Sequence, residues 1–143
     1  MGSVLIVDDE SAIRAVLARW LGAAGYDIRE AVDAESALDA SGTAAADVVL
    51  CDVEMPGRGG LWLAEQLREQ FPATAIVLAT AVSSIPPTTS FKSGIIEYLV
   101  KPFARDRVLD SVARGMDWHA AALARGPAPA VNEGALDNWL DKE

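Results

Sequence analysis

A single cysteine, Cys51, excludes an intramolecular disulfide framework, and a single histidine, His119, leaves no second imidazole for a zinc site. No apolar run approaches the roughly 20 residues that span a bilayer. Met1-Gly2-Ser3 carries none of the positive charge that opens a secretory signal, and the run Val4–Val7 meets Asp8-Asp9 at once. With so little cysteine, these absences point to the cytosol. Positive charge is also scarce: 12 Lys and Arg face 21 Asp and Glu, for a net charge of −9. Nucleic-acid phosphates are bound mainly by Lys and Arg, so this chain is not expected to bind DNA or RNA itself. There is no internal repeat, and no Gly-rich phosphate loop follows the first apolar run.

What is present suffices for one domain with a sizeable core: 143 residues, 51% hydrophobic and 23% charged. The chain is organised around Val48-Val49-Leu50-Cys51-Asp52-Val53-Glu54-Met55-Pro56. A short apolar run without alternation reads as a strand buried on both faces, as in a parallel sheet covered by helices. Asp52 then falls at the carboxyl end of a central strand, and the turn behind it (Gly57, Gly59, Gly60) stops the run. Three similar runs are Val4–Val7 before Asp8-Asp9-Glu10, Ala75–Ala79 before Thr80, and Ile95–Val100 before Lys101-Pro102; residues 27–31 make a shorter strand.

Helical periodicity fills the intervals. Ser11 reads as an N-cap, Ile13, Val16, Leu17, Trp20 and Leu21 follow at helical spacing, and Gly25 stops the run. Ala34–Ala40 reads as a short helix ended by Ser41-Gly42, and Leu61–Phe71 as a longer one ahead of Pro72. A weak fourth helix falls within residues 83–93, and the last helix, with Val108, Leu109, Val112 and Met116 on one face, runs to about Ala124. Five alternations of strand and helix predict a parallel sheet with helices on both faces. Residues 1–125 form this domain, and residues 126–143 a Pro/Ala linker with a short tail.

In such a sheet the residues just after the strands share one edge, where ligands bind. That edge gathers Asp8-Asp9, Asp52, Thr80 and Lys101. Clustered carboxylates that one Lys cannot neutralise call for a divalent cation, and all-oxygen donors favour Mg²⁺ or Mn²⁺ over zinc. A carboxylate, a metal, a hydroxyl and a Lys are the equipment for phosphoryl transfer to an aspartate. Asp52 is the candidate nucleophile. Asp9 and Asp52 would hold the metal directly, Asp8 directly or through water, and the backbone carbonyl of Glu54 would add a ligand. Each feature alone has a plainer explanation: Asp8-Asp9 as helix capping, Thr80 as a strand-end hydroxyl, Lys101-Pro102 as a turn. Cys51 reads as a buried structural thiol, and His119 and Trp62 as surface or packing residues. Trp118 and Trp139 are candidates for contact with a second subunit or a further domain.

The ordered set resembles the receiver domain of two-component response regulators, of the chemotaxis-regulator type. It consists of Val-Asp-Asp-Glu (7–10), Asp52 with Met55-Pro56 and Gly60, Ala-Thr-Ala (79–81), and Tyr98-Leu99-Val100-Lys101-Pro102-Phe103. The resemblance covers about residues 3–118. It implies a flavodoxin-like, doubly wound, five-stranded parallel sheet of order 2-1-3-4-5. It also implies Mg²⁺-dependent phosphorylation of Asp52 from the phosphohistidine of a sensor histidine kinase or phosphotransfer protein, catalysed by the receiver itself, with slow autodephosphorylation. In that family Lys101 pairs with the phosphate while Thr80 and Tyr98 move together as a switch. The readout and homodimer face would be the fourth helix, last strand and last helix, about Thr88–Arg114.

The sequence departs from the family pattern at Ile95-Ile96, at Pro86-Pro87 where the fourth helix should begin, and at Val82, apolar where many receivers are polar. Two other readings remain open. One is a degenerate receiver acting as a phosphorylation-independent interaction module. The other is an aspartate-nucleophile phosphatase, although its Asp-x-Asp spacing after the first strand is missing here.

Overall fold

The computed structural model describes residues 2–81 and 94–125. Among them the elements run β1 (Ser3–Val7), α1 (Ser11–Ala23), β2 (Asp27–Ala31), α2 (Ala34–Thr43), β3 (Val48–Asp52), α3 (Gly60–Gln70), β4 (Ala75–Thr80), β5 (Ile95–Val100) and α4 (Arg105–Arg125). All the strands are parallel and ordered β2-β1-β3-β4-β5, the doubly wound sheet expected from the sequence. The expected fourth helix with Val82 and Pro86-Pro87, and the linker and tail from Gly126 with Trp139, lie outside the described residues.

β3 and β4 are buried at every position, which is why their runs show no alternation. Leu5, Val7, Val49, Cys51, Ile76 and Leu78 point to the α2 and α3 layer, meeting Ala34, Ala37, Leu63 and Leu67. The alternate positions Val4, Ile6, Val48, Leu50 and Val77 point to the other layer, against Leu17 and Leu21 of α1 and Val108 and Val112 of α4. Ile95 and Ile96 open β5 with one side chain on each layer.

α3 runs one residue earlier than read at each end, and two other helix boundaries are capped differently from the sequence reading. The N-cap of α1 is Glu10, without a side-chain capping bond, and Ser11 is already helical. The amide of Glu10 donates to Asp8 Oδ1 at 2.9 Å, so a carboxylate from the strand end serves where a serine hydroxyl was expected. α2 runs through Ser41-Gly42 to Thr43. The Ser41 hydroxyl folds back onto the Ala37 carbonyl at 2.9 Å, and Arg29 of β2 donates to the carbonyls of Ala40 and Ala44 at 3.4 and 2.5 Å. These partners satisfy the helix end that a glycine stop would otherwise have provided. Gly25, with φ of 104°, does end α1 as expected.

α4 is tied to the sheet by polar contacts as well as apolar ones. Buried Glu97 of β5 accepts from Ser111 Oγ at 3.0 Å and pairs with Arg107 Nη2 at 2.5 Å and with Arg114. His119 lies 2.6 Å from the Ala73 carbonyl through Nδ1 and 3.2 Å from Asp47 Oδ1 through Nε2, a packing role as expected. Half-buried Trp118 packs on the α1 and α4 layer beneath the Arg125 guanidinium, 5.8 Å from its ring centroid.

Candidate functional site

β1 and β3 pair with Val7 opposite Cys51, so the next residues, Asp8 and Asp52, emerge side by side. Asp8 follows Val4 and Ile6 in parity, and Asp52 follows Val48 and Leu50, so both carboxylates belong to the α1 and α4 side of the sheet. One oxygen from each of Asp8, Asp9 and Asp52 lies within 4.8 Å of the others. Asp8 and Asp52 are 2% and 5% exposed, whereas Asp9 faces solvent. The strand after β4 delivers the cation: Lys101 Nζ sits 3.4 Å from Asp8 Oδ2 and 3.3 Å from Asp52 Oδ1. The Lys101–Pro102 peptide is cis.

Among the described residues the charges are unbalanced, with three carboxylates against one ammonium. Burial pushes the Asp52 carboxyl above its ordinary pKa; Lys101 pulls it down, and Asp8 adds to the rise. Burial also opposes the charge of Lys101, but Asp52 and Asp8 outweigh it and its ammonium lies above the usual lysine value. Cys51 is buried, its thiol pushed up chiefly by desolvation and next by Asp52, as befits an inert core residue. Hard carboxylate oxygens, closely spaced and under-neutralised, form a donor set suited to a small divalent cation such as Mg²⁺.

Thr80 closes β4, is fully buried, and donates through its hydroxyl to the Ala81 carbonyl at 3.2 Å. Tyr98 pairs in register with Leu78, and Thr80 shares Leu78's parity, so Thr80 and Tyr98 belong to one side of the sheet. Tyr98 is half-buried against the α2 and α3 layer. Glu54 is exposed in the loop after β3, and its amide donates to Asp52 Oδ1 at 3.3 Å. Gly60 pins that loop: its amide donates to the Val53 carbonyl at 3.0 Å, and a Cβ there would come within 2.5 Å of the Asp52 carbonyl oxygen.

Arg14 is the residue that spacing did not single out. Its Nη1 donates to the Asp8 carbonyl at 2.6 Å and its Nε to Glu30 Oε1 at 3.2 Å. In the sequence it occupies a polar position of an amphipathic helix, which reads as solvent-facing. Beside the acidic cluster, an apolar groove of about 420 Å³ is lined by Ile13, Val16, Leu17, Trp20, Pro102 and Phe103, with Lys101 at its edge.

Residues 4–113 match the response regulator receiver domain family. The chain belongs to that family. It is 37% identical over 137 residues to the DNA-binding transcriptional regulator NtrC of Klebsiella pneumoniae, covering 95% of this chain. That alignment spans only 29% of the relative's length, so this receiver corresponds to a minor part of NtrC. Among solved structures, the receiver domain of NtrX from Brucella abortus superposes with a TM-score of 0.74 at 31% identity, covering 80% of this chain and 98% of that one. The response regulator protein TrrA from Thermotoga maritima, in complex with Mg(2+)-BeF, gives 0.73 at 36% identity over 80% and 99% of the two chains. This receiver is therefore a module of two-component signalling, and no described helix is long and apolar enough to cross a membrane.

Proposed function

We propose that this receiver accepts a phosphoryl group on Asp52 from the phosphohistidine of a cytoplasmic sensor kinase or phosphotransfer protein, in a reaction that needs Mg²⁺. The observation that carries the reading is the convergence of Asp8, Asp9 and Asp52 with Lys101 in contact with two of the three. Asp8, Asp9 and Asp52 would hold the ion, with the Glu54 carbonyl as a further ligand. Bound there, Mg²⁺ would supply charge neutralisation for the phosphoryl oxygens. The Asp52 carboxylate attacks phosphorus, an O–P bond forms as the N–P bond of the donor breaks, and the donor imidazole leaves. Lys101 is already held at this edge and moves from carboxylate to phosphate as a point charge.

Thr80 and Tyr98 form the switch in this reading. An added phosphate draws the Thr80 hydroxyl from its carbonyl partner, and Tyr98 follows on the same side of the sheet. Couplings of this kind are worth about 1–3 kcal/mol, enough to bias a surface that includes β5 and α4. We assign residues 1–125 to the receiver and residues 126–143 to a linker and short tail. The NtrC relatives are named as DNA-binding regulators, which supports a transcriptional output carried outside this chain.

Intact mass after incubation with Mg²⁺ and acetyl phosphate tests the reading, beside Asp52→Asn and an EDTA control. One phosphoryl adduct in the parent alone is expected. No adduct in the parent would sink the phosphorylation chemistry and favour the interaction module.

A further inference from the structure

We infer that Arg14 is a positioning residue for the metal site, locking the Asp8–Asp9 peptide so that both carboxylates face the same ion; the inference rests on the metal reading above. The carbonyl held by Arg14 Nη1 at 2.6 Å is the oxygen of the peptide that joins Asp8 to Asp9. The other polar atoms of Asp8 are also engaged. Its amide donates to the Ala31 carbonyl at 3.2 Å, Oδ1 accepts from Glu10 at 2.9 Å, and Oδ2 lies 3.4 Å from Lys101 Nζ. Exposed Asp9 has no such framework among the described residues and takes its direction from the backbone before it. A peptide plane that rotates about its flanking bonds would swing the Asp9 carboxylate away from Asp8 and Asp52. The hydrogen bond from Arg14 opposes that rotation.

Arg14 is itself anchored. Glu30, near the end of β2, holds its Nε at 3.2 Å, and the arginine side chain is only 15% exposed, unlike an arginine on a free helix face. A planar guanidinium suits this task because its donors leave in fixed directions, one toward the strand-end carbonyl and one toward the neighbouring strand. The pair is also neutral as a unit. Arg14 can therefore brace a cation site without placing an uncompensated positive charge beside it. Partners that orient ligand residues from behind change metal affinity by about 10–100-fold when removed.

The test is calorimetric titration of the full chain with MgCl₂ alone, at fixed ionic strength and without phosphodonor. The double variant Arg14→Met, Glu30→Met removes the brace at constant net charge, separating positioning from the electrostatic field. Its Kd for Mg²⁺ is expected to rise about tenfold or more, with far-UV circular dichroism unchanged. A rise below about threefold overturns the inference while leaving the metal reading in place. Absence of Mg²⁺ binding in the parent overturns both. Should the double variant fail to fold, Arg14→Lys keeps the charge but replaces the fork with one ammonium. It should also raise Kd, and a Kd equal to that of the parent would sink the inference.

Discussion

A negative charge on Asp52 is opposed by its burial. Burial raises its carboxyl pKa more than Lys101 lowers it, so in the metal-free protein the folded chain binds this proton more tightly than the unfolded chain does. Stability from this group is therefore fully present below the unfolded carboxylate pKa and is lost as pH rises through the folded value. Asp52→Asn removes the penalty and leaves Lys101 paired with Asp8. In EDTA near neutral pH the variant should melt higher by on the order of 3 °C, and the gap should close as the solution is acidified. A variant that melts lower than the parent at neutral pH would show that the Lys101 pair outweighs burial. The residues of this cluster were readable from sequence because the rule that found them needs only the ends of apolar runs. Arg14 and Glu30 were not readable: one sits at a polar position of a helix and the other in a short edge strand. Their meeting depends on how α1 lies over β2. Glu97 was hidden for the opposite reason, a charge inside an apolar run whose partners Arg107, Ser111 and Arg114 come from a helix one turn apart.

At the scale of elements, strand ends were placed within a residue, and so were most helix ends, but the end of α2 was not. Strand limits follow from where hydrophobicity stops, and β4 ends at Thr80 as read. Helix limits depend on who satisfies the terminal carbonyls, and for α2 the donor is Arg29 from a neighbouring strand, which no local pattern reveals. The start of α3 joins element to site. A Cβ on Gly60 would lie 2.5 Å from the Asp52 carbonyl oxygen and 2.9 Å from Val53 Cα, both backbone atoms that cannot rotate aside. Gly60→Ala therefore forces the loop carrying Glu54 away from α3. We expect a loss of about 1–3 kcal/mol by urea unfolding, together with weaker Mg²⁺ binding, since the displaced backbone carries Asp52. Unchanged stability would mean that α3 can shift as a body with little strain. By contrast, a Cβ on Gly42 would meet nothing within 4 Å, so Gly42→Ala serves as the control helix-glycine substitution, with no effect on the metal.

For the whole molecule, net charge and the acidic cluster act together. A net charge of −9 opposes the compact state, and the site concentrates three of those charges at one sheet edge. A cation that binds the folded chain adds stability as RT ln(1 + [Mg²⁺]/Kd), about 2.7 kcal/mol at a hundredfold excess over Kd. For a domain of this length that corresponds to a rise in Tm of roughly 6–10 °C. The rise should continue with the logarithm of concentration without a plateau, and it should shrink in acid because the ligands must be deprotonated. Salt alone would also relieve self-repulsion, so the comparison must be made against Na⁺ at matched ionic strength. Asp9→Asn separates the two effects with little risk to the fold, because Asp9 is exposed while its neighbours Asp8 and Asp52 are buried. The parent should gain stability from Mg²⁺ beyond the Na⁺ control, and the variant should gain much less. Equal gains in both would mean that Mg²⁺ acts only by screening the acidic surface, and the strand-end cluster would then lose its standing as a metal site.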